Sequence, residues 1–219
     1  IKDSAASVLG FGARRVWGDD RMPAKYVNTP ETPVYKKSHV LYGLDLARTN
    51  IGKKNQVVVV EGYTDVMAMH VAGIDTAVAS CGTAFGPEHA HLVQRLMGNR
   101  GALNGEVIFT FDGDAAGRSA ALKAYRDDEE FTSQTYVAVE PNGLDPCDLR
   151  MQEGDAAVRE LVARRVPLYR FVMENTVDRF DLDRADGRLA AARAAAPLVT
   201  SIRDAALVSE FTRELAQII

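Results

Sequence analysis

The sequence predicts an α/β protein: a parallel sheet flanked by helices, a basic mixed α/β segment before it and a helical subdomain after it. Three observations support that class. Residues 57–60 are four valines in a row, as expected of a strand covered on both faces. From residue 56 to 139, strand-like and helix-like stretches alternate, which implies strand–helix–strand units. Beyond Pro141 the chain becomes rich in Ala, Arg and Leu and loses the strand pattern.

The elements follow in order. Residues 7–17, SVLGFGARRVW, alternate and read as a strand or hairpin. Residues 18–38 are rich in Pro, Asp, Asn and Thr and read as loop. Residues 38–49 have the apolar spacing of a short helix. A strand at 56–60 then leads to a helix at 64–72, ended by Gly73. A strand at 75–79 leads to a helix at 87–98, with Pro87 in its first turn and Gly98 after it. A strand at 106–111 leads to a helix at about 115–127. A strand at 134–139 closes the series. Residues 155–219 read as several helices and no strand, with breaks at Pro167, at Asp186 and Gly187, and at Pro197. This divides the chain into a basic N-terminal subdomain (1–54), a core (55–150) and a C-terminal helical subdomain (151–219).

The 219 residues suffice for one sizeable α/β domain with an appendage, and the chain reads as a piece of something longer. No apolar run approaches membrane-spanning length, so a membrane protein is not expected. Cys81 and Cys147 lie far apart and form no CxxC, which argues against a zinc site or disulfide framework and suits a reducing cytoplasm. The net charge is -4, yet Lys2, Arg14, Arg15, Arg21, Lys25, Lys36, Lys37, Arg48, Lys53 and Lys54 precede the valines against five acids. A basic part on an acidic whole suggests a local anion-binding surface; solvated loop charges are the plainer alternative.

In a parallel sheet, ligands bind beyond the carboxyl ends of the strands. The first strand of the core delivers Glu61 there, with Asp65 one turn into the next helix. The strand at 106–111 delivers Asp112 and Asp114 in FDGD, and the strand at 134–139 is followed by Asp145 and Asp148 in LDPCD. Each acid has an ordinary alternative: Asp65 can start a helix, DGD occurs in turns, and Asp145 before Pro146 is a common turn opener. Together they repel one another unless a cation sits among them, and hard oxygen ligands point to Mg²⁺ or Mn²⁺.

EGYTDVMA with FDGDAAG resembles the TOPRIM fold as it stands in bacterial DnaG-type primases. GFGARR, KYVNTPET, YKK and LYGL resemble the segment before that core, and CGTAFGPEHAHLV resembles the family's GTA segment. The resemblance covers roughly residues 9–150; residues 151–219 agree only in helical character. It implies the RNA polymerase domain of a primase: synthesis of short RNA primers on single-stranded DNA from NTPs, by a cytoplasmic monomer that works with the replicative helicase. The zinc-binding and helicase-binding modules are expected outside this chain. The implied catalytic residues are Glu61, Asp65, Asp112 and Asp114. The implied metal ligands are Glu61, Asp112, Asp114, Asp145 and Asp148, with Glu61 either a ligand or the general base. One position departs: Cys147 stands where the family has the second Asp of Asp-Pro-Asp, and Asp148 is the candidate substitute. Arg14, Lys25, Tyr26, Asn28 and Lys37 match the positions lining the family's template and nucleotide groove, with Arg15, Lys36, Arg118 and Lys123 as further basic candidates.

Two other readings compete with the primase. A TOPRIM nuclease or topoisomerase fragment would cleave DNA without making primers. A non-catalytic TOPRIM scaffold would bind DNA without needing every acid. His89 and His91 point to different faces of a helix, which argues against a shared metal, and Trp17, Phe171 and Phe180 are expected to be packing residues.

Overall fold

The alternating stretch near the N-terminus forms half of a two-stranded antiparallel ribbon. Strand β1 (Gly12–Arg14) pairs with β2 (Tyr26–Asn28), which lies in the stretch expected to be loop. The computed structural model describes residues 1–15, 17, 19, 24–98, 105–112, 134–200 and 205–219, and of residues 112 and 205–207 it describes the backbone alone. The helix expected at 115–127, with Asp114, Arg118 and Lys123, lies outside the described residues. Trp17, expected to pack, is 67% exposed.

The short helix expected at 38–49 is divided. A 3₁₀ turn, Lys37–His39, leads to β3 (Leu41–Tyr42), and helix α1 (Leu44–Lys54) begins only afterwards. Gly43 causes the shift: its φ of +82° interrupts any helix approaching from the N-terminal side, and a Cβ there would come within 2.8 Å of Val66.

The valine run lies in β4 (Gln56–Val60), and its residues face two cores in alternation. Val58 and Val60 join Val66 and Met69 of α2 (Tyr63–Val71). Val57 and Val59 join Leu44, Ala47 and Ile51 of α1 on the opposite face. The same face takes Val78 of β5 (Ala77–Ser80) and Val93 of α3 (Pro87–Leu96). Strands β6 (Glu106–Asp112) and β7 (Gln134–Glu140) complete this sheet within the unit Ile1–Arg165. The order is β3, β5, β4, β6, β7; β3 is antiparallel to β5 and the others run parallel. Helices α4 (Pro146–Glu153) and α5 (Asp155–Ala163) cover the Val58 face with Leu149, Val158, Leu161 and Val162.

This order places the site. From β4 the chain steps to β5 on one side, then returns past β4 to β6 on the other. A reversal of that kind leaves a crevice at the carboxyl ends of the two strands it separates. Glu61 follows β4 and Asp112 ends β6, so both flank it.

The second unit, Val166–Ile219, opens with a two-residue strand, β8 (Val166–Pro167), where no strand was expected. Helices α6 (Leu168–Val177), α7 (Ala185–Thr200) and α8 (Ala205–Ile218) then share a core of Met173, Val177, Ala191, Ala195, Val199 and Leu215. Phe180 packs against this core as expected. Helix α7 runs through Gly187 and Pro197, both read as breaks. Gly187 lies in the first turn, where amides lack intrahelical partners, and its missing side chain leaves room for the Asp181 carbonyl. Pro197 lies near the other end, so little of the ladder is lost. Among the described residues no helix is long and apolar enough to cross a membrane.

His89 and His91 separate as expected: His91 is exposed and His89 is 1% exposed. Nδ1 of His89 accepts from the Gly86 amide at 3.2 Å, which leaves the proton on Nε2 to donate to the Lys37 carbonyl at 2.9 Å. Burial pushes its pKa below the usual histidine value, although the Lys37 and Val40 carbonyls oppose this and His39 and Glu88 add smaller, opposite effects. The unfolded chain therefore takes up a proton near pH 6.5 that the folded chain refuses, and stability falls as pH drops through that region. His89→Gln should flatten this loss: melting temperatures of variant and parent should converge between pH 8 and pH 5.5, and an unchanged gap would refute the role.

Candidate active site

A cavity of about 210 Å³ opens at the carboxyl edge of the sheet. The ribbon contributes Lys25 and Tyr26, and the turn from β4 into α2 contributes Glu61, Gly62 and Asp65. Thr110 and Phe111 come from β6; Glu140, Leu144, Asp145 and Pro146 come from the end of β7 and the turn into α4. Leu161 of α5 closes the floor. Five of the predicted residues thus meet around one space. The backbone of Asp112 ends β6 in register with Glu140, and Asp114 lies outside the described residues.

Other predicted residues stand elsewhere. Asp148 is exposed in the first turn of α4, where its amide donates to Asp145 Oδ1 at 2.7 Å, and it does not line the cavity. Lys37 lies in the 3₁₀ turn; its amide donates to Glu31 Oε1 at 3.1 Å, and it too is absent from the cavity wall. Arg14 and Asn28 act one layer back, through Tyr26 and Tyr63.

That layer clamps the ribbon to the start of α2. Arg14 Nε donates to Tyr26 Oη at 3.2 Å, and the same hydroxyl shares a hydrogen bond with Thr64 Oγ1 at 3.1 Å. Tyr63 Oη donates to Asn28 Oδ1, and Asn28 Nδ2 donates to the Cys81 carbonyl at 3.0 Å. The Tyr26 and Tyr63 rings meet edge to face, with centroids 5.5 Å apart. Gly62 makes this approach possible: a Cβ there would overlap Tyr26 Oη and stand 2.9 Å from Asp65 Oδ2. Its φ is an ordinary -122°, so the demand is for space and not for conformation.

Asp65 occupies the third position of α2, and its Oδ2 accepts from the Gly62 amide at 2.9 Å, as an acid at a helix start can. It is 4% exposed, and its Oδ1 is buried without a hydrogen-bond partner. Burial, then the charge of Asp145, pushes its pKa up to about 7, against the opposing pull of the Gly62 and Cys147 amides and of Lys25. Asp145 caps α4 and lies 3.8 Å from Lys25 Nζ through Oδ2. Burial and the surrounding Asp145, Asp65 and Asp148 raise the Cys147 thiol, so this position stays neutral where the resemblance implies an acid. Glu61 is exposed at the turn.

Glu140 is the residue that the sequence alone did not single out. It is 4% exposed and accepts from the amides of Asn142 and Leu144 at 2.8 Å each. Its signal was an acid ending an otherwise apolar strand, QTYVAVE, the same pattern that marked Glu61.

Among the described residues, no three His, Cys, Asp or Glu side chains stand close enough to hold a metal ion. The donor chemistry nevertheless fits a hard divalent cation. Oxygens line the cavity, one buried carboxylate oxygen is unpartnered, and neighbouring acids resist joint ionisation.

Two expectations follow. Between pH 3.8 and about 7 the folded state holds a proton on Asp65 that the unfolded state releases, so ionised Asp65 destabilises the fold most above pH 7. Asp65→Asn should stabilise the protein at pH 8 by roughly 2–4 kcal/mol, with the gain vanishing near pH 4, by denaturant unfolding at each pH. Gly62→Ala should displace the turn and lower any catalytic rate about 100-fold while the sheet stays folded by circular dichroism. Full activity in that variant would show that the clamp is dispensable.

Three family models match the chain in succession: the DNA primase catalytic core, N-terminal domain over residues 1–48, the Toprim domain over 55–139, and the DnaB-helicase binding domain of primase over 169–219. The last falls on the helical unit of this chain, whereas the sequence reading puts a helicase-binding module outside it. A DNA primase of Mycobacterium bovis is 57% identical over 216 residues, which cover 99% of this chain and 34% of that protein. The chain therefore spans about a third of the length of that curated relative. The crystal structure of the RNA polymerase domain of Mycobacterium tuberculosis primase DnaG, in complex with double-stranded DNA bearing a 6-nucleotide overhang, is 56% identical with a TM-score of 0.88. It matches 100% of this chain and 68% of its own. A DnaG primase catalytic domain bound to single-stranded DNA is 35% identical with a TM-score of 0.80, matching 100% of this chain and 67% of its own. Identity of this degree over the full described fold means that the chain belongs to the DnaG-type DNA primases and corresponds to part of their RNA polymerase domain.

Proposed function

We propose that the cavity at the carboxyl edge is the nucleotidyl-transfer centre of a primase, which extends short RNA primers from NTPs on a single-stranded DNA template. The observation that carries this reading is the meeting of Glu61, Asp65 and Asp145 around one space at the reversal of strand order, with Asp65 buried and incompletely partnered.

Glu61, Asp112, Asp114 and Asp145 are the residues that would hold Mg²⁺ or Mn²⁺, with Asp148 as a further candidate. A bound divalent ion supplies charge compensation for the triphosphate and the leaving pyrophosphate and lowers the pKa of the primer 3′-hydroxyl. The chain's own residues prepare that chemistry. Asp145 has one oxygen fixed by its helix cap, so its other oxygen faces Lys25 with a set orientation. Lys25 is an exposed cation at the cavity mouth, placed to meet a phosphate without reading sequence. Tyr26 and Asn28 hold the ribbon over the site, and their partners Tyr63 and Thr64 follow directly after Gly62. Glu61 stands exposed beside them, suited either to ligate the cation or to receive the hydroxyl proton. Leu161 and the buried valines beneath keep water from the floor.

The template side rests on the relatives: one was crystallised with duplex DNA carrying an overhang and another with single-stranded DNA. The replicative helicase belongs to the same reading, and the description of the model matched by residues 169–219 supports a contact through α6–α8.

Primer synthesis on single-stranded DNA, measured with labelled NTPs in Mg²⁺ or Mn²⁺, should fall at least about 100-fold in Asp112→Asn and vanish in EDTA. DNA binding by that variant should persist in a gel-shift assay. Undiminished synthesis by Asp112→Asn, or in EDTA, would overturn the mechanism, and DNA cleavage without synthesis would favour a nuclease.

A further inference from the structure

We infer that Glu140 is a positioning residue, whose buried carboxylate shapes the turn that delivers Asp145 to the cavity; its catalytic meaning rests on the proposed role of Asp145 as a cation ligand.

Glu140 ends β7 in register with Asp112 at the end of β6. It is nearly inaccessible, yet the chain immediately after it must reverse direction within five residues to start α4. The reversal is wound around this one side chain. Oε2 accepts from the Asn142 amide and from the Leu144 amide, both at 2.8 Å. Oε1 accepts from Asn142 Nδ2 at 3.1 Å. The Glu140 carbonyl accepts from the Gly143 amide at 3.2 Å, and Gly143 makes the turn with φ of +76°. Leu144 then packs against the core below α2, and Asp145 follows. Three N–H donors meet the carboxylate, which offsets much of its desolvation.

The consequence reaches Asp145 because Asp145 has little freedom of its own. It caps α4 through Oδ1, Pro146 fixes the next backbone angle, and only Oδ2 faces Lys25. The position of that oxygen is therefore set by where the turn ends. An apolar residue at 140 would leave two backbone amides and the Asn142 side chain without the acceptor that closes the turn. Glu140 thus acts on the site as second partners of metal ligands do, by fixing the orientation of a group it does not touch.

The test uses the full-length protein and two readouts: hydrogen exchange across residues 141–145, and Mn²⁺ titration followed by electron paramagnetic resonance. Glu140→Gln keeps an acceptor oxygen for the amides, Glu140→Leu removes it, and Gly143→Val distorts the turn with every acid left in place. Glu140→Leu and Gly143→Val should both speed exchange and weaken Mn²⁺ binding by about tenfold or more, whereas Glu140→Gln should preserve protection and most of the affinity. Thermal melts identify any variant that fails to fold, and Gly143→Val alters an exposed turn glycine whose Cβ would meet nothing within 4 Å. Unchanged exchange in Glu140→Leu would overturn the proposal. So would equal loss of Mn²⁺ in Glu140→Gln and Glu140→Leu with the turn still protected, since charge alone would then matter. If the parent and Asp145→Asn bind Mn²⁺ alike, the cation reading of Asp145 fails, while the exchange result still decides whether Glu140 shapes the turn.

Discussion

Two neighbouring carboxylates, one of them buried, oppose each other's ionisation, and the architecture around this cavity answers that opposition. Asp65 is buried with one unsatisfied oxygen and feels the charge of Asp145. Such an arrangement is unfavourable unless something rigid holds it together. The rigidity comes from strands that have no polar face to turn outward. Because β4 is packed on both sides, neither Glu61 nor the turn after it can escape by rotating the strand. Helices α4 and α5 load the opposite wall onto the same hydrophobic cluster, so both halves of the acidic site rest on one core.

The parts of this design legible in the sequence were those with a strong local period. The valine run, the EVIFTF stretch and QTYVAV became strands with nearly the bounds their composition implies. Glu61, Asp65 and Asp145 could be placed because the carboxyl edge of a parallel sheet is a fixed address, reached by counting to the ends of strands. What escaped prediction depended on contacts made at a distance. At Gly43 a left-handed backbone shifts the helix start and Val66 leaves no room for a side chain, and at Gly187 the Asp181 carbonyl occupies the space of a Cβ. Neither neighbour is visible in local spacing. Glu140 was overlooked because a strand-terminal acid followed by proline reads as an ordinary exit, and only the fold shows amides closing on it.

The ribbon residues illustrate a different limit. Tyr26 and Asn28 were matched to a nucleotide groove by resemblance, and in the structure Tyr26 is joined to α2 and Asn28 to both α2 and the residue after β5. Their hydrogen bonds hold the ribbon in place, while Lys25 beside them retains an exposed head. Residue type suggested a ligand contact, and the surroundings add a structural duty. The two duties are compatible because the ring of Tyr26 and its hydroxyl lie at different ends of the side chain.

The close approach at Gly62 carries a consequence for how this sequence can drift. The Tyr26 hydroxyl fills the volume that any side chain at 62 would need, and Thr64 completes the same bond. Positions 26, 62 and 64 are consequently not free to vary one at a time. A larger residue at 62 becomes tolerable only if the hydroxyl at 26 is lost, and that loss unties the ribbon from Thr64. A chain walking through single substitutions meets a barrier at each of these steps, so the three residues should be inherited as a block even though position 26 lies on the ribbon and 62 and 64 at the turn into α2.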